Sequence, residues 1–177
     1  PQHVYWIFGT ISALALFSCV LLHELRHCLV VRRLGVPVRQ ITLFIFGGVS
    51  DISSHSSSPD SEFRITIAGP LSSLALGLAF GAIALFSQSV IGRLGAETLR
   101  YLFFVNVLLA LFNLIPGFPL DGGRVLRSWL WKRTGDIRLA TQQAARVGSA
   151  IAVGMIAIAL VAFASGHVMA EIGRAHV

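Results

Sequence analysis

Residues 1–23 read PQHVYWIFGTISALALFSCVLLH, with no Asp, Glu, Lys or Arg, and residues 24–27 then read ELRH. A helix needs about 20 mostly apolar residues to cross the hydrocarbon core of a bilayer. This run therefore reads as a membrane span that ends on ionisable side chains. Three more charge-free runs follow, at residues 65–92, 101–120 and 147–170. Composition agrees: of 177 residues 55% are hydrophobic and 12% charged, and mean hydropathy is +0.76. A soluble domain carries about 25% charged residues. An ordinary soluble enzyme, a secreted disulfide scaffold and a disordered chain are excluded. The chain reads as an all-α polytopic membrane bundle.

The runs place helices over residues 4–34, 63–86, 99–115 and 147–166. Gly77 and Gly81 in the second have the small-xxx-small spacing that lets helices approach closely. Between the first two helices lies Ile41-Thr42-Leu43-Phe44-Ile45-Phe46-Gly47-Gly48-Val49. As a helix these residues reach only about 14 Å, too short to span. Their β-branched and aromatic content predicts a short membrane-associated strand or hairpin. A Ser-rich loop follows through Pro59. Residues 117–146 read as a polar, basic connection with Trp129 and Trp131 at the interface. Cys19 and Cys28, in or beside the first run, read as buried small apolar residues.

The net charge of +6 comes from residues flanking the runs. Membrane orientation accounts for them, and no nucleic-acid partner is expected. Arg32, Arg33, Arg39, Arg64, Arg124, Arg127, Lys132, Arg133, Arg138 and Arg146 fall on one side, against Arg93 and Arg100 on the other. The positive-inside rule puts the first side in the cytoplasm. Helices one and three then run parallel, and both arrive at the cytoplasmic face.

Near that end of helix one stands His23-Glu24-Leu25-Arg26-His27, an H-E-x-x-H. Positions i and i+4 share a helix face, so both imidazoles can bind one metal with Glu24 beside them. Ionisable residues within a span are costly and point to function. A second constellation runs from Asn113 to Arg124 as NLIPGFPLDGGR. Here Asp121 follows two prolines, precedes two glycines and falls at the cytoplasmic end of helix three. A catalytic zinc takes three protein ligands and leaves one position open for water. His23, His27 and Asp121 supply that count.

These features together resemble the site-2 protease family of intramembrane metalloproteases. The matching elements are His23 to His27, Gly47-Gly48-Val49, Ala68-Gly69-Pro70 opening helix two, and Asn113 to Gly123. The resemblance implies a zinc-dependent endopeptidase, with one Zn2+ per chain, that cuts a membrane-protein substrate in or near its transmembrane segment. It implies Glu24 as the base, and Asn113 as a helper to the metal in stabilising the oxyanion. The Ile41 to Val49 strand could hold an unwound substrate by edge pairing. A family core of six spans is implied, of which this chain holds four. A cytoplasmic CBS pair is implied downstream, in a multi-pass protein of a prokaryotic cell membrane. Arg26 departs from the pattern, since the family usually has a small residue there. A guanidinium so near a dication disfavours metal binding unless it points away.

Two other readings stay open. A metal or proton transporter would use the same His/Glu/Asp site, yet needs polar outer helix halves, and these are nearly all apolar. An inactive protease homologue is the other. The tail Ile172-Gly173-Arg174-Ala175-His176-Val177 matches translation of a common short-read sequencing adapter, ATC GGA AGA GCA CAC GTC. Residues 1–170 are therefore expected to be the protease core, and residues 171–177 an adapter translation.

Overall fold

The computed structural model describes residues 2–35, 41–44, 47–50, 58–86 and 88–174. In chain order these form α1 (Gln2–Arg33), β1 (Ile41–Phe44), β2 (Gly47–Ser50), α2 (Pro59–Phe86), α3 (Gln88–Asn113), α4 (Asp121–Thr134) and α5 (Ile137–Arg174). Among the described residues, four helices are long and apolar enough to cross a membrane: His3–Arg33, Pro59–Phe86, Gly92–Asn113 and Ile137–Ser165.

Local chemistry sets several ends. Arg32 and Arg33 lie in the last turn of α1, where positive charge suits the helix dipole. At the start of α2, Ser58 Oγ accepts the Ser61 N–H at 3.2 Å, Pro59 follows the cap, and Asp60 and Glu62 fill the first turn. That cap starts the helix four residues before the expected Phe63. The expected connection over residues 117–146 is mostly helix: it contains α4 and about the first quarter of α5. Charge-free runs mark hydrocarbon thickness, whereas helices continue past it into the interface. For the same reason the third span starts at Gly92, where α3 kinks (φ 70°), rather than at residue 99. The α5 helix runs on through residue 174, past the helix end expected at residue 166, and residues 175–177 lie outside the described residues.

The segment after α1 forms the expected hairpin. β1 and β2 pair antiparallel, with Ile41 opposite Ser50 and Phe44 opposite Gly47, and β2 lies against α1. Residues 45–46, Arg39 and most of the Ser-rich loop lie outside the described residues.

At the centre is α2, which packs against α1, α3 and α4, while α5 packs on α4. Close approach to α3 depends on Gly77 and Gly81. A Cβ at the first would meet Val107 at 3.1 Å, and one at the second would meet the Phe103 ring at 2.9 Å. The interior is polar for its size: His23, His27, Glu62, Thr66, Ser73, Asn106 and Ser128 are buried. Trp6, Phe17, Leu78, Phe104 and Ile158, by contrast, are among many large apolar side chains facing outward. Apolar outside and polar inside is the arrangement a bilayer favours. Cys19 and Cys28 are free and buried, as expected.

Candidate metal centre

His23 and His27 lie one turn apart on α1 with their rings turned toward α2, and both are buried. Each ring is held through its Nδ1. For His27 the partner is the Ile65 backbone carbonyl at 2.8 Å, and for His23 it is Ser73 Oγ at 2.9 Å. A carbonyl only accepts, so His27 Nδ1 carries a hydrogen and a neutral ring turns its bare Nε2 inward. Metal-binding histidines are oriented by outer partners of this kind.

The third group arrives from the chain between α3 and α4. Asp121 opens α4, and the two glycines after it let the turn fold beneath the end of α3. A Cβ on Gly122 would lie 2.3 Å from the Leu114 and Ile115 carbonyl oxygens. One on Gly123 would lie 2.7 Å from the Gly117 backbone. The turn brings Asp121 Oδ2 to 3.2 Å from His23 Nε2 and 3.2 Å from His27 Nε2, and the two ring nitrogens are 3.3 Å apart. His23 and His27 lie in the last third of α1, so the C-terminal ends of α1 and α3 share one end of the bundle, as expected.

The triangle fits a zinc ion. Bonds of about 2.0–2.2 Å at tetrahedral angles separate ligand atoms by about 3.3–3.6 Å, close to the sides observed. Three acceptor atoms this close repel one another unless positive charge joins them. Protonated rings would supply it. Burial pushes the Asp121 carboxyl up and the two imidazoles pull it down further, to about 2. A single dication would satisfy all three atoms at once. Among the described residues, these three form the one group able to hold a metal.

Glu24 stands beside the histidines on α1, half-buried, and is not a member of that group. Arg26 is exposed while both histidines are buried. Asn113 ends α3 with its amide donating to the Leu109 carbonyl at 3.0 Å. The structure does not bring it into the triangle. Three contributors were not evident from sequence: Ile65, Gly69 and Ser73. They recur along one face of α2 at spacings of four residues. A Cβ on Gly69 would meet His27 Nε2 at 2.2 Å, His27 Cε1 at 2.6 Å and His23 Nε2 at 2.7 Å. Ala68-Gly69-Pro70 was conspicuous in the sequence, but its use as a bed for two imidazoles was not.

Comparison with known proteins adds an independent line. Residues 11–98 and 89–159 match the sequence model of Peptidase family M50. The chain is 43% identical over 180 residues to Rip3 of Mycobacterium tuberculosis, covering 100% of this chain and 45% of that protein. It is 38% identical over 154 residues to a zinc metalloprotease of Methanocaldococcus jannaschii, covering 87% of this chain and 44% of the relative. The chain thus spans less than half the length of these two curated relatives. Among solved structures it is similar to a site-2 protease from Methanocaldococcus jannaschii, with TM-score 0.67 and 35% identity. That likeness covers 92% of this chain and 72% of the other.

Proposed function

Since the chain belongs to peptidase family M50, we propose that it is the core of a zinc-dependent intramembrane endopeptidase acting on membrane-protein substrates. The observation that carries this reading is the triangle of His23, His27 and Asp121, in which two buried histidines of a helix able to span a membrane meet a partly buried carboxylate at the start of α4. His23, His27 and Asp121 would hold the ion. Zinc bound there would supply Lewis-acid polarisation and lower the pKa of water toward neutrality.

The remaining steps fall to side chains. Glu24 takes the proton of the attacking water and gives it to the departing amine as the peptide C–N bond breaks. Ser73 and the Ile65 carbonyl keep the rings from turning. For Asn113 to steady the oxyanion, its amide must exchange the Leu109 carbonyl for the substrate. A helical substrate hides its carbonyls and must unwind, and the β1–β2 hairpin offers main-chain edges for the unwound strand. His23 lies ten residues before the end of α1, about 15 Å along the helix. Water reaches it from the arginine-rich end, which the positive-inside rule assigns to the cytoplasm.

The test uses the full-length protein in liposomes with a single-span membrane substrate. Cleavage that stops with a chelator and returns with zinc supports the reading. Zinc-loaded protein that leaves the substrate intact and carries zinc across the liposome membrane overturns it in favour of transport.

A further inference from the structure

Glu62, in the first turn of α2, is completely withdrawn from solvent. Two arginines of α4 reach for it. Arg127 donates to Glu62 Oε1 from Nε at 2.9 Å and also from Nη2, and Arg124 Nε lies 3.8 Å from the same oxygen. The second carboxylate oxygen, Oε2, is buried with no hydrogen-bond partner among the described residues. Removing such charges from water is costly, and apolar side chains of similar size often serve stability as well or better. What this pair adds over two apolar side chains is direction.

Its place in the fold gives direction a use. Along α2, Glu62 is followed at one, two and three turns by Ile65, Gly69 and Ser73, the face that beds and orients both histidines. Along α4, Arg127 lies six residues, about 9 Å of helix, beyond Asp121. Because α2 and α4 pack together, an anchor at Glu62 fixes how far α4 slides and turns on α2. That in turn fixes where the Asp121 carboxylate meets the rings. A second bridge between the same helices, Lys132 to Asp60 at 2.7 Å, is exposed, where solvent leaves little net attraction.

We propose that Glu62 is a positioning residue: by gripping Arg127 it holds α4 in the register that delivers Asp121 to His23 and His27. The proposal rests on reading those three residues as zinc ligands. Its test compares wild type, Glu62→Gln, the double variant Glu62→Met with Arg127→Met, and Lys132→Met, all in the full-length protein. Zinc affinity is measured against a competing chelator, ligand geometry by the visible spectrum of the Co2+-substituted protein, and folding by thermal unfolding. Glu62→Gln, which leaves Arg127 without its carboxylate, is expected to unfold at lower temperature and to bind zinc about 10- to 100-fold more weakly, as when an outer partner of a metal site is lost. The double variant should regain the unfolding temperature, yet stay weak for zinc with a shifted Co2+ spectrum. Lys132→Met should match wild type in all three readouts.

A folded double variant with wild-type zinc affinity and spectrum overturns the proposal. If the double variant does not fold, Glu62→Asp decides. It keeps the charge but shortens the reach by one methylene, so weaker zinc binding supports the proposal and unchanged binding overturns it. Wild type that takes up no zinc overturns the metal reading together with this proposal, whereas the other failures leave that reading standing.

Discussion

Adding one methyl group at Gly69 should remove the metal site while leaving the bundle folded. The new Cβ would lie 2.2 Å from His27 Nε2 and 2.7 Å from His23 Nε2, against ordinary contact separations of about 3.5 Å. His27 must therefore retreat by about 1.3 Å. Its Nδ1 bond to the Ile65 carbonyl, 2.8 Å long, does not survive a displacement of that size away from α2. A shift of α2 in compensation would disturb its packing against α1, α3 and α4. Overpacking costs about 1–3 kcal/mol, and replacing Gly by Ala inside a helix returns about 1 kcal/mol, so the protein should still fold. Zinc affinity should fall by more than about 100-fold, the upper end of what loss of an outer partner costs, because two ligand atoms are displaced. The assay is chelator competition, with thermal unfolding measured with and without zinc. Zinc should raise the unfolding temperature of wild type and not of Gly69→Ala. Gly9→Ala, where an added Cβ meets nothing within 4 Å, is the control. A folded Gly69→Ala that binds zinc as wild type does would refute the reasoning.

Ser73→Ala removes the partner of His23 Nδ1 and should weaken zinc binding about 10- to 100-fold, read by the same chelator competition. Cysteines introduced at Arg133 and Arg93 in the full-length protein should be labelled from opposite sides of the membrane, Arg133 from the cytoplasm. The reverse pattern would contradict the assigned orientation.

The spans were legible because a bilayer demands long apolar runs, and residues 1–23 and 65–92 meet that demand without a charge. Helix ends were less legible. Charge marks the edge of hydrocarbon, while the Ser58 cap and the amphipathic α4 depend on backbone hydrogen bonds and on packing against α2. The three candidate ligands could be picked out by residue type, and His23 and His27 by their spacing as well. That Asp121, 94 residues after His27, would meet them depends on the glycine turn at Gly122 and Gly123, whose purpose shows only once Leu114 and Ile115 lie beneath it. Ala68-Gly69-Pro70 stood out without showing its use as a bed for the rings, and Ser73 and Glu62 gave no comparable signal. Glycine and serine are common in membrane helices, and Glu62 reads locally as a first-turn acid at a helix N-terminus. Its burial under Arg127 is a tertiary fact.

The most direct measurement of the central claim is made on Glu24→Gln in the full-length protein, with bound zinc and cleavage of a membrane-embedded substrate determined on one sample. Glu24 is assigned as the proton carrier and not as a ligand. The variant should therefore hold about one zinc per chain, as a site of three protein ligands requires, and cleave nothing detectable. Cleavage at the wild-type rate, or loss of the zinc along with activity, would contradict the account.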